Sequence, residues 1–169
     1  MEAKKIMLPT DFSVKSLNLV REAIEISNDE VLEIILVHGY QLPNHSITDM
    51  LFFSKARELQ KLQTVEFLEA INLIENKYTK RIKRIIVDLI TTTNRSYLND
   101  YVQKLGIEEI FVPEGFPLSF EGENSFNPSP LLKQCQPAIT LMDYSTAFEN
   151  SFRVTKQVSD IFFTSHPTI

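Results

Sequence analysis

The order of apolar runs and amphipathic stretches predicts an α/β protein: an open, doubly wound parallel sheet of five strands with helices on both faces. Three observations predict it. Ile6-Met7-Leu8 and residues 31–38 are nearly unbroken aliphatic runs, as expected of strands buried on both faces. Between successive runs lie segments whose apolar residues recur at helical spacing. Finally, the runs end abruptly at polar or Pro- and Gly-containing turns, such as Pro9-Thr10-Asp11 and Gly39.

The first strand is expected at residues 4–9, where Lys4 and Lys5 lead into the apolar run. Ser13 is a natural N-cap for the first helix, and Leu17, Val20 and Ile24 share one face of it. Asn28-Asp29-Glu30 breaks that helix, and residues 31–38 make a second, central strand. Gly39, Pro43 and Asn44 mark a loop over the carboxyl edge of the sheet. From about Thr48 a single long amphipathic helix is predicted, with any break near its start. Phe52, Ala56, Leu59, Phe67, Ala70 and Ile74 fall within one angular sector of it. Residues 82–90 make the third strand, and Thr91 to Asn94 offer caps for a helix over 96–105 that Gly106 closes. Ile110-Phe111-Val112 reads as a short fourth strand stopped by Pro113. Residues 114–130 carry Gly115, Pro117, Gly122, Asn124, Pro128 and Pro130 and form the longest irregular stretch. Loops of that length in compact domains are mostly functional or disordered. A helical turn at 131–134 and a fifth strand at 138–142 complete an α/β domain over 1–142. Residues 143–169 form a C-terminal extension expected to pack on the same domain or across a dimer.

Composition excludes several classes of function. The 169 residues carry a net charge of −5, which disfavours nucleic acid and anionic membranes as partners. Lys80, Arg81, Lys83 and Arg84 cluster before the third strand and read as a solvated strand entrance in preference to a phosphate patch. Cys135 is the only cysteine, so neither an internal disulfide nor a multi-cysteine metal site can form. It is expected to be a half-buried small apolar residue. Without an apolar signal segment or a membrane-length run, the expectation is a soluble cytoplasmic protein. His38 is expected to pack under a loop at the end of the second strand, and His45 and His166 show no metal-ligand spacing. No nucleophile elbow, Walker motif or paired carboxylates occur, so no catalytic residue or cofactor is expected.

Residues 5–13, Lys-Ile-Met-Leu-Pro-Thr-Asp-Phe-Ser, with Ser16-Leu17 and Ala23, resemble the opening of the universal stress protein family. Leu36-Val37-His38 resembles that family's second strand, residues 106–112 the approach to its fourth, and residues 136–141 its last. The resemblance covers residues 4–142 and implies an adenine nucleotide alpha hydrolase-like sheet of strand order 3-2-1-4-5. Thr10 and Asp11 would then face the loop after Pro113, where the topological switch point also places a ligand crevice.

Nucleotide-binding members of that family follow the fourth strand with Gly-x-x-Gly-x9-Gly-Ser/Thr, whose glycines let backbone N–H groups approach the phosphates. Here the matching segment reads Pro113-Glu114-Gly115-Phe116-Pro117, with Asn124-Ser125 or Pro128-Ser129 in place of the final Gly-Ser. The chain thus resembles a divergent member lacking the glycine-rich loop. Pro113 and Pro117 have no N–H to donate. Glu114 would bring a carboxylate towards a polyphosphate, and a like-charge pair at about 4 Å costs roughly 4 kcal/mol near a protein surface.

Pro9, Thr10, Asp11, Gly39, Pro113 and Gly115 are the candidate ligand-binding residues. Asp11 either accepts hydrogen bonds from a ribose or adenine, as its counterpart does in nucleotide-binding relatives, or helps to cap the first helix. The preferred expectation is a non-enzymatic module of the stress response, not ATP-binding, that acts as a homodimer or through a protein partner. The alternative is a sensor of a nucleoside or AMP-like molecule with a remodelled pocket. The last strand would be a sheet edge that pairs with its copy. Phe148, Phe152, Val154, Val158, Ile161, Phe162 and Phe163 would bring apolar surface from the extension to that contact.

Overall fold

The computed structural model describes residues 2–28, 30–42, 48 and 51–143. The aliphatic runs make strands because alternate side chains of each enter two different cores. Ile6 and Leu8 of β1 (Lys4–Pro9) and Ile34 and Leu36 of β2 (Leu32–Tyr40) enter one core. Met7, Ile35 and Val37 enter the other. All nine residues of β2 are buried, as a central parallel strand requires. β3 (Ile82–Ile90), β4 (Glu109–Glu114), β5 (Ser125–Phe126) and β6 (Ala138–Asp143) complete a sheet of order β3-β2-β1-β4-β6, with β5 added antiparallel to β2. The five parallel strands stand in the expected order, and β1 is central.

One face is covered by α1 (Asn18–Ile26) and α3 (Val65–Lys77), which contribute Val20, Ile24, Phe67 and Ile74 to the first core. α2 (Lys55–Leu62) adds the partly buried Leu59 and Leu62. On the opposite face α4 (Arg95–Leu105) and the short α5 (Ser129–Leu132) supply Leu98, Val102 and Leu132.

Four local expectations need correction. The helix predicted from Thr48 is broken near its start, at Phe53-Ser54, as expected, but also after Leu62. Thr64 accepts the Phe67 N–H and so begins α3, as Ser54 accepts that of Arg57 and begins α2. Phe52, placed on its apolar face, is 75% exposed. Ser13 caps a 3₁₀ turn (Lys15–Leu17) by accepting the Ser16 N–H, and α1 begins only after that turn. β4 continues through Pro113 to Glu114. At Pro113, in register with Met142, β1 has already parted from β4, so the missing N–H interrupts no pairing with β1. The 114–130 stretch, read as irregular, contains β5 and the start of α5.

Two boundaries follow their signals closely. Asn94 accepts the Tyr97 N–H at the start of α4, and Gly106 ends it in the left-handed conformation at φ 71°. Arg81 and Arg84 of the basic cluster are engaged within the fold. Arg81 donates to the carbonyls of Ile24 and Glu30, and Arg84 pairs at 2.6 Å with the buried Glu33 carboxylate, whose pKa it holds below the ordinary range.

Among the described residues β3 and β6 form the two rims of the sheet. On β3, the Glu75 carboxylate accepts the Ile85 N–H at 2.8 Å, and the Asp88 carboxylate accepts the Leu89 N–H at 2.8 Å. On β6, Leu141 is 50% exposed. Pro43, Asn44, His45 and the extension beyond residue 143, with Phe148, Phe152 and His166, lie outside the described residues.

Candidate functional site

The switch point lies between the carboxyl ends of β1 and β4, and this chain fills it with its own residues. β1 pairs with β2 as far as Pro9 opposite Val37. Two residues further along β2, Phe126 and Ser125 of β5 pair with Gly39 and Tyr40. Gly39 still pairs with Ile90 of β3, so β5 occupies the β1 side, directly beyond the end of that strand. A side chain on Gly39 would have no room. Its Cβ would lie 2.6 Å from Cδ2 of the Phe126 ring and closer still to the Phe126 carbonyl.

The turn after β1 is organised by short polar contacts. Thr10 is buried, shares a 2.9 Å hydroxyl hydrogen bond with Ser16, and accepts the Phe12 N–H. Asp11 accepts the Ser13 N–H at 2.9 Å and the Ser13 hydroxyl through one oxygen, and the Ser119 N–H at 2.9 Å through the other. Asp11 therefore shapes the approach to the first helix and accepts an N–H across the crevice. The donor of that N–H is the chain itself.

His38 lies at the centre of this arrangement and is 3% exposed. The Thr10 carbonyl can only accept, so His38 Nδ1 carries the proton and donates to it at 2.9 Å. Nε2 then accepts the Ser125 hydroxyl at 2.9 Å. The imidazole packs against Phe12 with centroids 4.6 Å apart and against Phe120 at 5.2 Å. Phe12 holds an unusual left-handed backbone at φ 64°, a cost accepted where the surroundings over-determine the turn. Sequence reading singled out His38 but not its partners Ser125 and Phe120. The irregular composition of 114–130 carries no signal of where that stretch docks.

Burial holds the His38 pKa below its ordinary 6.5, outweighing the raising influence of the Thr10 carbonyl and the Asp11 carboxylate. A folded-state pKa below the unfolded value means that the unfolded chain binds more protons as pH falls through 6.5. Stability from this group is therefore intact above 6.5 and lost below it. Denaturant midpoints of the native protein should fall between about pH 7.5 and pH 5.5, and His38→Asn should flatten that slope. An unchanged slope in the variant would remove His38 as its source.

The predicted site residues thus divide. Thr10, Asp11 and Gly39 gather around His38 and the 116–126 segment, with Pro9 buried at the end of β1. Pro113 and Gly115 stand on the neighbouring strand β4 and the exposed turn after it. Glu114 forms a 3.3 Å ion pair with Lys133, which partly compensates the carboxylate expected to repel a polyphosphate. Cys135 is buried in the second core, and burial raises its thiol pKa. Among the described residues no group of His, Cys, Asp or Glu could hold a metal ion, and no helix is long and apolar enough to cross a membrane.

No protein-family model matches this sequence, and no curated protein is similar to it. Solved structures are. Universal stress protein UspA from Lactobacillus plantarum superimposes with a TM-score of 0.51 at 12% identity, over 84% of this chain and 99% of that one. The hypothetical protein PH0823 gives 0.50 at 17% identity, over 84% and 96%. The hypothetical protein MJ0577 gives 0.50 at 15% identity, over 86% and 99%. Such identities speak for architecture alone. With parallel strands in the order β3-β2-β1-β4-β6, a turn of Pro9-Thr10-Asp11 after the central strand and near-complete coverage of those structures, this chain has the universal stress protein fold.

Proposed function

We propose that this chain is a non-enzymatic, universal-stress-protein-like module of the cytoplasmic stress response that does not use ATP and acts by association, as a homodimer or with a protein partner. The observation supporting this reading is the crevice filled from within: Ser119 N–H on Asp11, Phe120 and Ser125 on His38, Phe126 over Gly39. A nucleotide at the switch point has to displace all of these contacts, and its apparent affinity falls by the fraction of time the segment is withdrawn. The missing glycines act in the same direction, since Pro113 and Pro117 offer no N–H to a phosphate. The ion pair with Lys133 softens the repulsion expected from Glu114, so the reading rests on occlusion more than on charge.

Calorimetry at micromolar protein should show no ATP binding tighter than about 100 μM, roughly −5.5 kcal/mol. A low-micromolar Kd would overturn the reading. A thermal shift with adenosine or AMP but not ATP would favour the nucleoside sensor, with Pro9, Thr10, Asp11, Gly39, Pro113 and Gly115 around the ligand.

For assembly, the half-exposed Leu141 on the rim strand β6 supports a two-fold contact through that strand, enlarged by the apolar extension. Sedimentation should show a dimer for the full chain and a monomer or an insoluble product for a chain truncated after Asp143. A monomeric full chain removes the dimer, and a soluble, dimeric truncated chain removes the role of the extension.

A further inference from the structure

A second opening lies away from the crevice, at the carboxyl end of β3, and we propose that it is a binding site for a small monocyclic aromatic carboxylate. Its volume is about 120 Å³. It is somewhat smaller than a cavity of roughly 150 Å³ that admits benzene, so it takes at most one six-membered ring, with the carboxylate left towards solvent, and cannot take a nucleotide.

The lining chemistry selects the class of ligand. Leu89, Ile90 and Leu98 are all but fully buried and give the pocket an apolar part. Tyr97 and Tyr101, one turn apart on α4, line it with aromatic rings, and Tyr97 is 65% exposed. Rings of this kind favour offset or edge-on contact with another aromatic ring.

The cation is Lys55, which also lines the pocket, with its ammonium 5.6 Å from the centroid of the Tyr101 ring. It is held there by Asp88 at 3.4 Å. The Asp88 carboxylate also accepts the Tyr101 hydroxyl at 2.5 Å and the Leu89 N–H. Burial and that carboxylate push the Tyr101 phenol well above its ordinary 10, so it remains a donor to Asp88. Asp88 is thereby shared among three donors. Lys55 has three N–H groups, only one of which this pair requires, so a ligand carboxylate has a positioned cation to meet.

The full chain is to be titrated with sodium benzoate, benzyl alcohol and cyclohexanecarboxylate, followed by NMR chemical-shift changes. Benzoate should saturate with a Kd of about 1 mM or tighter, and each of the other two should bind at least about tenfold more weakly. Lys55→Met, which keeps the aliphatic stem, and Tyr97→Ala, at an exposed position, should each weaken benzoate about tenfold while their thermal midpoints stay near native. Absence of saturation by about 10 mM benzoate, equal affinity for all three probes, or native affinity in both variants would overturn the site. The outcome is independent of the ATP experiment, because nucleotide binding at the switch point involves neither Lys55 nor Tyr97.

Discussion

Phe67→Ala is expected to lower the stability of the folded chain by about 3–5 kcal/mol, the usual cost of removing a buried phenyl ring from a close-packed interior. Phe67 is completely buried on α3 and meets the Phe12 ring edge-on, with centroids 5.4 Å apart. Phe12 in turn packs on His38, so the lost ring removes a wall of the niche that keeps Phe12 in its left-handed conformation. The loss is large against the roughly 5–15 kcal/mol by which whole domains are stable. A urea titration checks it: the midpoint should fall with little change in slope. A loss below about 1 kcal/mol would mean that the core closes over the vacancy and that the contact with Phe12 matters little.

Gly39→Val should detach the 125–126 strand from the sheet without unfolding the rest. The new side chain would collide with the carbonyl and ring of Phe126, and backbone cannot give way as a flexible side chain does. The pairings Gly39–Phe126 and Tyr40–Ser125 and the Gln41 N–H to Asn124 carbonyl hydrogen bond would go together. The expected loss is about 1–3 kcal/mol, with hydrogen-exchange protection disappearing at Gln41 and Phe126 but persisting in β1 and β2. Limited proteolysis should then cut within residues 116–127. Native resistance and native exchange in the variant would mean that the segment tolerates the collision and that its docking on Gly39 is loose.

The parts of this fold that were legible in the sequence are those in which one physical demand dominates. β1 and β2 are buried on both faces, so Ile6-Met7-Leu8 and Ile34-Ile35-Leu36-Val37 had to be continuous, and continuity is visible. Gly106 marks the end of α4 because a left-handed cap strongly favours glycine. The break after Leu62 was harder to see, since Leu59 and Phe67 keep helical phase across it and only the capping hydroxyl of Thr64 marks the restart. β5 could not be read at all. Two residues are too few for alternation to show, and their pairing depends on Gly39, far away in sequence. At the candidate site, Thr10, Asp11 and Gly39 were legible from topology. Ser119, Phe120 and Ser125 were not, because their place is decided by where a long loop folds back. The same holds for Lys55, Asp88 and Tyr101, which meet only once α2, β3 and α4 are packed.

The carboxylates that bond the amides of β3, Glu75 from α3 and Asp88 from the strand itself, bear on how far association can go. Glu75 and Asp88 answer two of that strand's amides from within the subunit, so an incoming strand would have to break those bonds and face the two acids. Two copies joined β6 to β6 would leave only β3 margins at the ends of the continuous ten-stranded parallel-and-antiparallel sheet, two times the five main strands of one chain. Neither end would then template a third copy. In such a pair, growth into fibrils, the standing hazard of open sheets, would stop at two copies because the acidic side chains at each β3 rim oppose a further strand.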